Sequence, residues 1–199
     1  MKNLLVVLAV LAIMALAPMA ARAESLGFDM GVLTYNPSET TAQSSNGNFF
    51  CFTFPVDNTT RIGFYTEGLM IVLKKDLFAA PTPTTVSVDT KITAIQMTRT
   101  IAEKANVSAG VNLGMADMNA YILGALAWTQ TAPVADLFVK WAFISGTGEK
   151  GITTNVSATV GYRSLLIAAQ DPDAAAGDFT KAIDNLNGVW VGLSLGVAF

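Results

Sequence analysis

The last thirteen residues, Asn187 to Phe199 (NGVWVGLSLGVAF), alternate without interruption. Val189, Val191, Leu193, Leu195, Val197 and Phe199 fall on one face, with Gly188, Trp190, Gly192, Ser194, Gly196 and Ala198 on the other. A period of two belongs to a β-strand whose faces meet different surroundings. A face made almost wholly of small residues suits a sheet that curls tightly around its own inner side, where bulky side chains could not all fit. Seven upstream segments read as strands too: Leu26 to Tyr35, Asn48 to Val56, Arg61 to Lys74, Val86 to Ile101, Asn106 to Ala116, Val134 to Ser145 and Gly151 to Ser164. A soluble sandwich also alternates, but its outer face carries Lys and Glu. Here the polar faces are Gly, Ser, Thr and Asn with isolated charges, so they read as enclosed.

The chain opens with MKNLLVVLAVLAIMALAPMAARA: Lys2, an apolar run from Leu4 to Ala17, Pro18, then Ala21-Arg22-Ala23. That order is a secretory signal peptide, and its apolar run falls short of the roughly 20 residues of a spanning helix. No cysteine follows the small-residue site, so a lipoprotein anchor has no support. Residues 1–23 are therefore expected to be removed, leaving 24–199 as one domain with ten basic and fifteen acidic residues. The most apolar later stretch, Tyr121 to Trp128 (YILGALAW), is too short to cross a bilayer as a helix.

Long and short connections take turns along the chain. Asn36 to Gly47, Lys75 to Thr85, Asp117 to Pro133 and Leu165 to Leu186 are long; Asp57 to Thr60, Ala102 to Ala105 and Gly146 to Lys150 are short. Short turns at one end, long loops at the other and an even strand number describe an up-and-down barrel in an outer membrane. Lipid offers the backbone no hydrogen bonds, so a spanning sheet has to close. The expected fold is all-β: an eight-stranded antiparallel up-and-down transmembrane β-barrel.

With an export signal, eight amphipathic strands and a terminal Phe199, the chain resembles the small bacterial outer-membrane barrels, the class of the OmpA transmembrane domain, OmpX and OmpW. The resemblance is architectural and covers the mature chain without singling out a subfamily. It implies location in the outer membrane of a Gram-negative bacterium, contact with outer-membrane lipid and lipopolysaccharide, and a monomer. It also implies that Leu193, Leu195, Val197 and Phe199 form the signal read by the barrel assembly machinery.

Some segments break the pattern. In Val86 to Ile101 the apolar parity passes from Val86, Val88 and Ile92 to Ile95 and Met97, which predicts a bulge near Thr93 and Ala94. Leu69 to Leu73 is apolar on both faces, and Trp190 sits on the small-residue face, either plugging the lumen or marking a shift of register. Tyr35, Phe64, Phe143, Tyr162 and Phe199 lie near strand ends, where interfacial aromatics belong.

The parities turn Asp29, Glu67, Lys91, Asp136, Lys140 and Arg163 inward. Charges in a narrow lumen have to pair, and neighbouring strands offer Asp136 with Arg163 and Glu67 with Lys91. Such a cluster either plugs the barrel or lines a selective polar path. The sequence holds no histidine, which removes the usual general base and the commonest transition-metal ligand. Cys51, the one cysteine, excludes an intramolecular disulfide framework and reads as a packed thiol between Phe50 and Phe52. A net charge of −3 with no basic run argues against nucleic acid. No catalytic residue, cofactor site or metal site is expected; Asp171, Asp173 and Asp178 offer at most a weak calcium site in the fourth loop, where Ala174 to Leu186 has helix-start chemistry.

The third loop, Asp117 to Pro133, is apolar for a segment facing water: it either extends the flanking strands, folds over the mouth, or contacts a hydrophobic ligand. The first, Asn36 to Gly47, reads as a flexible exposed tip. Three functions fit: a non-enzymatic barrel with a structural or surface-interaction role through its loops, a channel for small hydrophobic solutes, or a soluble periplasmic β-sandwich binding module.

Overall fold

The computed structural model describes residues 26–38, 42–75, 84–148, 151–167 and 186–199. Eight strands follow in chain order: β1 Gly27–Pro37, β2 Ser45–Pro55, β3 Thr60–Lys75, β4 Thr84–Ala102, β5 Val107–Ile122, β6 Ala125–Thr147, β7 Thr153–Leu165 and β8 Gly188–Ala198. Each pairs antiparallel with its neighbour and β1 pairs with β8, closing the ring. The single closed sheet overturns the sandwich alternative, because among the described residues there is no second sheet for the apolar faces to pack on. The expected signal peptide, Asp171, Asp173, Asp178 and nearly all of the fourth-loop segment lie outside the described residues.

The perimeter is the oily one. Val191, Leu193 and Leu195 of β8 are 53%, 55% and 61% exposed, while Trp190 between its glycines is 3% exposed and buried in the lumen. Trp190 is thus a plugging side chain, and the register of β8 is unbroken from Gly188 to Ala198. Small inner residues make room for a few large rings rather than leaving a bore. A Cβ on Gly161 would lie 2.5 Å from the Trp190 indole, and one on Gly110 would lie 2.4 Å from the Phe138 ring. Both distances are far inside van der Waals contact, so neither site admits a side chain without displacing the ring.

Along several strands the apolar residues change sides at one height. On β3, Ile62 and Phe64 lie on the outward parity, whereas Leu69, Ile71 and Leu73 are buried inside. On β4, Ile95 and Met97 are exposed and Val86, Val88 and Ile92 buried; on β5, Leu113 and Met115 are exposed and Ala116, Met118 and Ala120 buried. Pairing runs without a shift through Thr93 and Ala94, so the expected bulge there is absent; the shifts fall at Thr100/Ala102, Ala120/Tyr121 and Ala142/Ile144. The physical reason is that two environments meet along these strands. Near the termini the wall is apolar outside, as lipid requires; beyond that height it is apolar inside and polar outside, like a water-soluble protein. Outward residues there include Asn46, Asn48, Thr66, Asp89, Lys91, Thr93, Asp117, Thr129 and Thr131, all exposed, with Met70 and Pro133 as apolar exceptions.

The same inversion accounts for the third loop. The segment from Asp117 to Pro133 is not a long loop: β5 and β6 run through it to a two-residue tip, Leu123-Gly124, with φ of 51° and 81°. Of the three expectations for it, strand extension holds. The first loop shortens likewise, with Asn36 and Pro37 in β1, Ser45 to Gly47 in β2, and Ala42 bridged to Leu73. Near the termini, Phe28, Phe50, Phe52, Phe54 and Phe199 form a chain of ring contacts with centroids 4.6 to 6.1 Å apart. Tyr35, expected in the interfacial belt, is instead wholly buried in the lumen.

Candidate functional site

The ladder between β6 and β7 puts Asp136 opposite Arg163, and β3 brings Glu67 from the far side of the ring. Arg163 Nη1 and Nη2 each donate to a Glu67 carboxylate oxygen at 2.6 Å; Nε and Nη2 donate to Asp136 at 2.8 and 2.9 Å. Four of the five guanidinium N–H groups are used in two bidentate forks. The side chains of Arg163 and both carboxylates are 0% exposed. That inaccessibility decides the energetics, since charges so far from water persist only when paired and hydrogen-bonded.

Neutral groups complete the cluster. Tyr65, two positions before Glu67 on the same face of β3, donates its hydroxyl to Glu67 Oε2 at 2.5 Å. The Tyr35 ring lies under the Arg163 guanidinium, 5.3 Å from Cζ, in cation–π contact, and its hydroxyl donates to the Leu186 carbonyl oxygen. Asn112 Nδ2 donates to Asp136 Oδ2 at 3.1 Å, Gln96 Nε2 to Asn112 Oδ1 at 3.0 Å, and the Cys51 thiol to Gln96 Oε1 at 3.0 Å. Cys51 is the packed thiol its apolar setting implies, tied into a polar chain that crosses β2, β4, β5, β6, β7 and β3.

Of the six expected lumen charges, five point inward in two groups. Asp29 and Lys140 form a separate pair at 2.7 Å, partly exposed beside a polar cavity of about 360 Å³ at the terminal end. Lys91 is the exception: it lies on the outer wall, exposed, opposite Asp117 on β5. The expected Glu67–Lys91 pair therefore does not form. The inward expectation for Lys91 takes Val86, Val88 and Ile92 as the outer face; these three are buried in the lumen, so odd-numbered β4 residues face outward. Leu193, Leu195, Val197 and Phe199 share the outer face of β8 and its end.

Sequence reasoning missed Tyr65, Tyr35, Asn112 and Gln96 as partners of the charges. Tyr65 and Asn112 carry a signal in their sequence, each sharing the inward parity of the strand that contains it. Tyr35 was read as interfacial because its position near a strand end outweighed its parity. Phe49, Phe138 and Trp190 fill the lumen on the terminal side of the Arg163 cluster, with Phe138 and Trp190 centroids 6.0 Å apart. Ile71, Leu73, Val86, Val88, Ile92 and Met118 fill it on the loop side, all fully buried. Among the described residues, no group of three or more Cys, Asp or Glu could hold a metal ion.

The whole is a closed eight-stranded ring with an apolar belt on its perimeter and a packed, charged lumen. Solved structures with the same arrangement include Ail, the attachment invasion locus protein of Yersinia pestis, with a TM-score of 0.53 at 12% identity over 89% of this chain and 100% of that one. The fold is that of the small outer-membrane barrels. Ail in complex with the heparin analogue sucrose octasulfate gives 0.52 at 9% identity, covering 88% and 97%. The outer membrane protein OprG from Pseudomonas aeruginosa gives 0.50 at 10% identity, covering 89% and 96%. No protein-family model and no curated protein matches the sequence.

Proposed function

We propose that the protein is a non-enzymatic, non-conducting β-barrel of a bacterial outer membrane, with its termini toward the periplasm and a surface-interaction role at its loop end. The observation that carries this reading is the doubly forked, wholly buried Arg163–Glu67–Asp136 cluster, packed between aromatic rings on one side and aliphatic side chains on the other. A lumen filled in this way is a strut, and it argues against the channel for small hydrophobic solutes. The inverted strand ends support the surface role: they raise a water-compatible collar above the apolar belt, roughly 15 Å tall from strand rise and tilt. Outer-membrane lipid and lipopolysaccharide are its proposed contacts, through exposed Asn46, Asn48, Lys91 and Asp117. Leu193, Leu195, Val197 and Phe199 are the proposed signal for the barrel assembly machinery, the protein acts as a monomer, and nucleic acid is not among its partners.

Planar-bilayer recording of the purified full chain tests the central point. Wild-type protein that migrates as a heat-modifiable barrel is expected to give no sustained conductance, and steady openings by that species would overturn the non-conducting assignment.

A further inference from the structure

We propose that the outer wall between β4 and β7 holds one phospholipid of the leaflet at the terminal end, its acyl chain in a groove across the strands and its phosphate on Arg99. The inference rests on the membrane reading above and adds a specific lipid site to it. The groove has a volume of about 750 Å³ and runs between two outward rows, Arg99–Ala109–Val139–Val160 and Met97–Val111–Leu137–Tyr162. Its floor is low at Ala109, the smallest outward side chain of that stretch of β5 and the one beside Arg99. Four strands at about 4.8 Å spacing give it a length of roughly 14 Å.

Its direction suits a lipid. Arg99 lies three positions from the terminal end of β4, whereas Tyr162 lies three positions from the loop end of β7. The groove therefore climbs obliquely from the headgroup level of one leaflet into the hydrocarbon, with its cation at the bottom. Arg99 is exposed and has no ion-pair partner among the described residues; Thr60, its β3 neighbour, adds a hydroxyl at the same level. An outward arginine beside Met97, Val111 and Val139 is costly unless it reaches the interface and meets an anion. A free phosphate would satisfy the guanidinium and leave the apolar rows unused; a plain hydrocarbon would do the reverse. A phosphodiester with an attached acyl chain satisfies both.

The test is native mass spectrometry of the full chain released from vesicles of phosphatidylethanolamine and phosphatidylglycerol, with heat-modifiable migration read on the same samples. Wild type is expected to retain one phospholipid. Arg99→Gln, which removes the charge, and Ala109→Leu, which fills the groove without touching Arg99, are each expected to lower retention about tenfold, the scale of one charge-assisted contact. Met30→Leu on the opposite wall is expected to leave it unchanged. Retention by both groove variants at the wild-type level, or equal retention of diacylglycerol, which lacks the phosphate, overturns the site. Absence of the heat-modifiable species in wild type overturns the barrel reading instead.

Discussion

Arg163 on β7 and Glu67 on β3 meet across the lumen in a bidentate pair with both N···O distances at 2.6 Å, joining strands on opposite sides of the ring. Removing the cation leaves two carboxylates in a site closed to water. Arg163→Leu is therefore expected to destabilise the barrel by about 3–5 kcal/mol, read as a lower urea midpoint for unfolding from vesicles. Replacing all three residues by apolar ones of similar volume should cost much less, because no unpaired charge remains. A triple variant as unstable as the single one would contradict the pairing account.

Gly161 and Trp190 form a second dependence. Gly161→Ala puts a methyl group against the indole and is expected to cost about 1–3 kcal/mol through forced repacking. Combining it with Trp190→Leu should recover part of that loss, a coupling that a double-mutant cycle measures directly. Simple additivity of the two changes would mean that the indole does not occupy this space.

Leu123 holds a left-handed backbone at the β5–β6 tip with 83% of its surface exposed. A branched side chain disfavours that conformation and nothing packs on it to compensate. Leu123→Asn or Leu123→Gly is expected to stabilise by roughly 0.5–1 kcal/mol, seen as a raised urea midpoint; a lowered one would imply that Leu123 makes a stabilising contact.

Charge on the perimeter should be costly by depth. Leu193→Arg in the belt is expected to destabilise by about 2–4 kcal/mol, whereas Thr131→Arg in the collar should lie within about 0.5 kcal/mol of wild type. Equal costs at the two positions would remove the case for a membrane boundary between them.

Asp57 organises the turn between β2 and β3. Its Oδ1 accepts from the Thr59 amide at 2.7 Å, the Thr59 hydroxyl at 2.9 Å and the Thr60 amide at 2.7 Å. Those donors, Thr59 first, hold its carboxyl down at about 2. A depressed folded value means that the turn gains stability above the ordinary aspartate range and loses it as pH falls toward 2. Carboxyl-carbon NMR should place the Asp57 midpoint near 2, and Asp57→Asn should remove this acid sensitivity. A midpoint near 4 would mean that the turn contacts do not hold in solution.

Much of this was legible in the sequence. β8 alternates from end to end because its outward face stays in one apolar medium, and the Asp136–Arg163 pair followed from parity and neighbouring position alone. Lys91, Ile92 and the 117–133 segment misled for one shared reason: the outer wall passes from apolar to largely polar partway up, so the apolar parity reverses while the backbone continues unaltered. Ile92 and Ile95 face opposite media, not opposite sides of a bulge. The Glu67–Arg163 contact was out of reach, since strands on opposite sides of a ring leave no local signature, and only closure defines which residues face one another through the centre.

The cross-lumen fork also constrains how the ring is completed. Until β7 joins the sheet, Glu67 on β3 has no guanidinium to meet, and the pair forms only once the two arcs curve round to one another. The stabilisation of this ionic clasp is therefore available only to the finished cylinder, which it holds from within.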